Sequence, residues 1–306
     1  MTPQNFPDVA KNSSHHHLAL NEVGMSEVFV PVQVKTKNGL LNLGATSQLS
    51  INLNKPEIRG IHMSRLYLHA QKTLPHQPLC QEMIHNLLSE FIATQEGLCD
   101  KAFINIAFEL PLLRKALITE SHGWKKYPIE IQASLTKEEP LKLTIHLRVD
   151  YGSTCPCSTA LAKSHICDSF VTQHPHKDTF TKEEVTHWLN TKGLTATPHG
   201  QRSHAFISMQ RSQNAFDFED LINTIEDILS TPTQTAVKRQ DEQQFAALSA
   251  ENTMFAEDAA RKLTFHLAKL PHIQHFEAQV FHYESLHSHD AYAIASSDAI
   301  LPNPEP

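Results

Sequence analysis

Hydrophobic and polar residues alternate along much of this chain, and the period switches between that of a strand and that of a helix. Val28, Val30, Val32 and Val34 form one period-two run, and Leu49, Ile51 and Leu53 a second; each is the pattern of a half-buried strand. Leu79, Met83, Ile84, Leu87, Leu88 and Phe91 fall three and four apart, which predicts an amphipathic helix over residues 77–94. Alternation returns at Ile104, Ile106, Phe108 and Leu110, and again at Ile129, Ile131, Ala133 and Leu135. The cleanest run is Leu141, Leu143, Ile145, Leu147, Val149 and Tyr151, with Lys142, Thr144, His146, Arg148 and Asp150 on the other face. Residues 204–210 alternate as well. Phe218, Leu221, Ile222, Ile225 and Ile228 predict one more helix, and Phe255, Ala259, Leu263 and His266 another. Phe276, Ala278, Val280, His282 and Glu284 line one face of a last strand.

Each half of the chain thus reads as strands around helical segments. The strands suit antiparallel hairpins, so an α+β fold follows, an antiparallel sheet with helices layered on one face. Residues 1–27 read as a flexible polar arm and 28–157 as a first unit. Residues 158–198, with His174-Pro175-His176 and Val185-Thr186-His187-Trp188-Leu189, read as an inserted helical excursion. Residues 199–290 form a second unit, and the Pro-rich 291–306 a loose tail.

Composition narrows the class. At 306 residues the chain can bury one large core or two medium ones. Its 26 Lys and Arg against 33 Asp and Glu give a net charge of −7, which argues against a nucleic-acid coat and against adsorption to anionic membranes. A small anionic substrate held by a local basic patch remains compatible. Five Cys without framework spacing point to a reducing compartment. Met1 to Glu27 shows no apolar signal core, and no apolar run has the length of a membrane span. A soluble cytoplasmic protein is the expectation. Of the 21 His, the triplet His15-His16-His17 lies in a polar tail without fixed geometry and is kept out of the site.

The candidate chemistry begins where the clearest strand ends, at Gly152-Ser153-Thr154-Cys155-Pro156-Cys157-Ser158. Two small buried thiols beside a turn would also explain that segment. His199 lies in the turn sequence Thr197-Pro198-His199-Gly200, and a turn His is usually just solvated. Glu242 follows Arg239-Gln240-Asp241, where a charged helix start is the plain reading; Glu257 stands off its helix's apolar stripe. Glu284, His287 and His289, with Asp290, crowd the end of the last strand, a density of imidazole and carboxylate typical of proton transfer or of a metal's surroundings. With nine Gly and no phosphate loop, any phosphates must be held by side chains, with Arg65, Arg202, Lys115 and Lys163 as candidates.

Taken together, these motifs resemble type IB GTP cyclohydrolase I. The resemblance runs through Gly60-Ile61-His62-Met63-Ser64-Arg65-Leu66, then Leu117 to Ile129 with Gly123-Trp124 and Tyr127-Pro128. It continues through Ser153 to Ser158, His199 with Gln201-Arg202-Ser203, Arg239 to Glu242, Phe255-Ala256-Glu257-Asp258, and Glu284 to Asp290. It implies a tunnelling fold, two units of antiparallel sheet with helices on one face, assembled as a homotetramer with sites at subunit interfaces. It implies one divalent metal per site, Mn²⁺, Fe²⁺ or Zn²⁺, approached by Cys155, His199 and Glu242. It implies that Glu257 grips the guanine edge and that Glu284, His287 and His289 lie near the metal and the reacting atoms. This sequence departs from compact family members in one respect. Cys155 and His199 are 44 positions apart, as in a longer branch carrying an insert after the C-P-C motif.

The reaction implied is GTP plus water giving 7,8-dihydroneopterin triphosphate and formate, the first step towards folate and related pterins. His287, with His289 or Glu284 as orienting partner, is the candidate general acid and base, and Arg202 a candidate phosphate contact. Two rivals make different expectations. A tunnelling-fold nitrile reductase would need NADPH and a covalently attacking Cys. A non-catalytic His-rich metal-binding protein would hold several metals weakly and release no formate.

Overall fold

The computed structural model describes residues 9–95 and 97–299. The chain runs through strand β1 (Leu20–Thr36), β2 (Gly39–Leu53), helices α1 (Met63–Thr73) and α2 (Gln81–Ala93), β3 (Lys101–Lys115) and β4 (His122–Thr136). It continues with β5 (Lys142–Thr154), α3 (Pro156–Gln173), α4 (Lys182–Thr191), β6 (Gly200–Arg211), α5 (Phe218–Leu229), α6 (Arg239–Glu251), α7 (Ala256–Leu267), β7 (Ile273–His282) and β8 (Ala291–Ser296). The strands form one sheet in sequence order, and every neighbouring pair is antiparallel. Each half is therefore two strands, a helical crossover and two more strands. Because β5 opens the second half and pairs with both β4 and β6, the halves divide at 137–141 rather than at residue 157.

One face of the sheet is covered. Val30, Val32, Leu49, Ile51, Ile106, Leu110, Ile131, Ile145, Val149, Ala205 and Val280 are all buried there. Helix α2 seals the first half with Met83, Ile84, Leu87, Leu88 and Phe91. Helices α5 and α7 seal the second with Phe218, Ile222 and Ile225, and with Ala259, Leu263 and Leu267. Full burial of a side chain of this size stabilises by about 1.5–3 kcal/mol. A buried polar clamp fastens α5 to the strands. Glu226 accepts from Lys125 Nζ at 2.7 Å and from the Tyr127 hydroxyl at 2.6 Å. Arg114 reaches the other Glu226 oxygen at 3.2 Å and Asn223 at 2.6 Å.

Two expectations about the ends of the chain are corrected. The arm was expected to extend to residue 27, but β1 begins at Leu20; residues 1–8 lie outside the described ones. The strand's period is broken by a register shift between Met25 and Val28, where Glu27 takes a left-handed φ of 56°, so clean alternation starts only at Val28. The tail from 291 begins with edge strand β8, paired to β7 from His282↔Ala291 to Glu277↔Ser296; residues 300–306 lie outside the described ones. The excursion after Cys155 is helical as expected. Phe170, His174, Phe180 and Trp188 pack on one another between α3 and α4, with ring centroids 4.7–5.0 Å apart. Helix α1 has no counterpart in the sequence pattern, and of α6 the sequence shows only its charged start at Arg239–Glu242. The first buries only Leu66 and Ala70 and the second only Asp241, so neither carries a full apolar stripe.

Candidate active site

The β5–β6 register places Thr154 opposite Gly200, so the next pair across the ladder is Cys155 and His199. The Cys155 N–H donates to the His199 carbonyl at 3.2 Å. Two residues far apart in sequence thus become direct neighbours, and the intervening helices loop out from that point. Strand alternation sends the side chains of Ser153, Cys155, His199, Gln201 and Ser203 to one face, the helix-covered one, and the Ser153 and Ser203 hydroxyls meet at 2.7 Å.

Cys155 is also the N-cap of α3. Pro156 takes the first helical position, which has no use for an N–H. The Ser158 N–H points at Cys155 Sγ at 3.5 Å, and the Thr159 N–H and hydroxyl bond the Cys155 carbonyl at 3.0 and 2.9 Å. Ser158 Oγ accepts from the His199 N–H at 3.1 Å. Strand end and helix start therefore hold both residues while leaving the thiol partly accessible.

Glu284, just past β7, completes this corner. His199 Nδ1 lies 3.3 Å from Gln201 Oε1 and 3.6 Å from Glu284 Oε2, and Gln201 Nε2 donates to Glu284 Oε1 at 3.3 Å. The His199 and Glu284 side chains are only 15% and 12% exposed. Glu284 Oε2 is buried and makes no hydrogen bond among the described residues. The Glu284 N–H donates to Asp290 Oδ1 at 2.9 Å and closes the loop carrying His287 and His289. Those two rings stack on each other at 5.3 Å on the exposed tip, and no contact with Cys155 or His199 is described for either.

The neighbouring elements are tied to the same end of the sheet. The Met254 N–H bonds the Thr154 carbonyl at 3.1 Å, fixing the approach to α7. Glu257, in the first turn of α7, is exposed. Below it, buried His282 meets the buried Tyr151 hydroxyl at 2.8 Å. Burial pushes His282 down to about 4 against the opposing pull of the Glu257 and Asp258 charges, so this imidazole is neutral at physiological pH. Phe245 of α6 lies over Gly152, where a Cβ would come within 3.0 Å of its ring. Asp241, fully buried at the start of α6, accepts from the Ile118 and Thr119 N–H groups, the Thr119 hydroxyl and the Lys238 N–H at 2.7–2.9 Å. That carboxylate holds the β3–β4 turn against α6. Its neighbour Glu242 is exposed.

The proposed residues are thus partly assembled. Cys155, His199 and Glu284 converge; Glu242 and Glu257 stand on helices anchored nearby. Arg202 does not join them. It is exposed, and alternation turns it to the helix-free face, opposite Gln201. Among the described residues no group of three His, Cys, Asp or Glu side chains lies close enough to hold a metal. The block Gly60–Leu66 follows the Leu53 end of β2, whereas the register carries Thr154 to the Gly39 end, so that block lies across the sheet from Cys155. A groove of about 550 Å³ on the helix-free face, among Ala107, Glu130, His146, Arg148, Phe206 and Gln279, is likewise separate from the thiol. Sequence reasoning assigned no role to Gln201, Asp241 or His282. The alternation containing His282 marks it only as core, and nothing local distinguishes Asp241 from Glu242.

Comparison with known proteins follows the same lines. Residues 6–293 match the family described as GCHY-1, type I GTP cyclohydrolase folE2. A GTP cyclohydrolase FolE2 of Pseudoalteromonas translucida is 41% identical over 296 residues, covering 95% of this chain and 97% of that protein. The GTP cyclohydrolase FolE2 of Bdellovibrio bacteriovorus is 38% identical over 298 residues, covering 97% of each. Among solved structures, a uricase from Bacillus fastidious aligns with a TM-score of 0.50 at 6% identity, covering 90% of this chain and 92% of that one. A hyperthermostable urate oxidase variant from Bacillus sp. TB-90 gives 0.50 at 10% identity, covering 90% and 98%. At such identities the likeness concerns the fold alone, the tunnelling fold.

Proposed function

This chain belongs to the FolE2 family of type I GTP cyclohydrolases, and we propose that it carries out its chemistry at the sheet end where Cys155 faces His199. It is an enzyme that hydrolyses GTP to 7,8-dihydroneopterin triphosphate and formate in folate biosynthesis, rather than a nitrile reductase or a metal reservoir. The observation that supports the site is the cross-ladder pair itself, an accessible thiol and a half-buried imidazole one register step past Thr154↔Gly200.

That donor pair fits a divalent metal. The thiol accepts nothing stronger than a long amide contact, and both described partners of the imidazole sit at Nδ1, which leaves Nε2 as donor. Thiolate, imidazole and a carboxylate suit Zn²⁺, and Mn²⁺ and Fe²⁺ accept the same set. Cys155 and His199 would hold the ion, with Glu242 as the carboxylate. When bound, such an ion supplies a water acidic enough to act as a nucleophile at neutral pH.

The remaining roles follow from the chemistry of the side chains. Glu257 accepts from the guanine N1–H and 2-amino groups, a pairing that adenine cannot offer. His287 moves protons during ring opening and reclosure, oriented by His289 or Glu284. Arg202 contacts phosphate. Because Gly60–Leu66 and Arg202 do not meet Cys155 within one chain, we read the working form as a cytoplasmic homotetramer whose sites are completed at subunit interfaces. Residues 158–198 are the insert of the longer branch. The test is formate release from GTP by protein stripped with chelator and reloaded with Mn²⁺, Fe²⁺ or Zn²⁺. Stripped protein is expected to be inactive and at least one metal to restore formate. Full activity in the stripped protein contradicts the metal reading.

A further inference from the structure

We propose that Gln201 is a positioning residue that fixes the tautomer and orientation of His199, so that Nε2 presents its lone pair beside Cys155. An ionised carboxylate only accepts hydrogen bonds, so the Gln201 group 3.3 Å from Glu284 Oε1 has to be the amide NH₂. The Gln201 carbonyl oxygen then faces His199 Nδ1 at 3.3 Å. A carbonyl oxygen also only accepts, so Nδ1 carries a proton, and in the neutral ring that a metal requires Nε2 is then the unprotonated nitrogen. Glu284 Oε2, buried and 3.6 Å from the same Nδ1, adds a second acceptor and reinforces the choice. The relay is anchored at its far end by the Asp290 contact to the Glu284 backbone. Its near end is anchored by the His199 backbone, bonded to Ser158 and Cys155. Strand geometry puts all of its side chains on one face. Gln201 lies two residues from His199 on β6, and Glu284 lies across from it by continuation of the Ser203↔His282 register.

An imidazole held in this way is a better metal donor than a free one, because neither ring flip nor tautomer exchange competes with binding. The inference rests on the metal reading above, and the experiment separates the two. Metal-free wild type, Gln201→Leu and the double exchange Gln201→Glu with Glu284→Gln are titrated with Co²⁺ against a competing chelator, following the thiolate-to-cobalt absorption band. Thermal unfolding of each metal-free protein is recorded alongside. Wild type is expected to bind one Co²⁺ per chain with that band. Gln201→Leu should weaken binding by about 10–100-fold with metal-free unfolding unchanged. The double exchange restores an acceptor at Nδ1 and an amide donor to it, so affinity should return while turnover, which needs Glu284, does not. Equal affinity in wild type and Gln201→Leu overturns the role of Gln201 while leaving the metal site intact. Absence of the thiolate band in wild type overturns the metal reading itself. Weakened binding that the double exchange fails to restore also counts against the relay.

Discussion

At the scale of single residues, Asp241 shows how position outranks residue type. Two adjacent carboxylates at the start of α6 look alike in sequence, yet one is fully buried and the other exposed. Burial alone would raise the Asp241 carboxyl. The Thr119 hydroxyl and the N–H groups of Thr119, Lys238 and Ile118 outweigh it and hold the carboxyl well below the usual range. A carboxyl depressed on folding contributes stability that is fully present above its unfolded value, about 3.9, and is lost as pH falls towards the folded value. Asp241→Asn is therefore expected to melt a few degrees below wild type at pH 7, with the gap narrowing below about pH 4. A gap that stays constant from pH 7 to pH 3 contradicts this account. Cys155 and His199 stood out only through the family resemblance, because a C-P-C turn and a turn His each have a plain structural reading on their own. Gln201 did not stand out, since its meaning depends on a carboxylate 83 positions away.

At the scale of elements, legibility followed burial. Strands β3 to β6 alternate because one face meets helices and the other does not, and α2, α5 and α7 show their stripes for the same reason. The pattern failed where burial is thin. The start of β1 is mostly exposed and interrupted by the irregularity at Glu27. Strand β8 is an edge whose large residues, Tyr292 and Ile294, face solvent. The pair α3–α4 carries its own small core around Phe170 and Trp188, leaves Leu161, Val171, Leu189 and Leu194 exposed, and makes few contacts with the sheet. The register of β5 and β6 already brings Cys155 to His199 without it. Replacing residues 161–195 by a short Gly/Ser turn, with Ser158 and Thr159 kept, is expected to preserve the circular dichroism of the body and the affinity for Zn²⁺. Loss of Zn²⁺ binding in a folded, trimmed protein would show that the excursion shapes the site.

At the scale of the whole molecule, one eight-stranded antiparallel sheet brings four loops to one end. These are the β3–β4 turn held by Asp241, the Cys155 turn, the His199 entry to β6, and the 284–290 loop. Sequence alone suggested this grouping only through the family resemblance, because topology rather than spacing brings the loops together. The central claim is that Cys155 and His199 hold the ion on which GTP ring opening depends. The measurement that tests it most directly reads bound metal per chain and formate released from GTP in the same samples of wild type and Cys155→Ala. The account predicts about one metal and steady formate for wild type, and a folded Cys155→Ala protein that has lost both. Formate release by Cys155→Ala at a rate near that of wild type would contradict it.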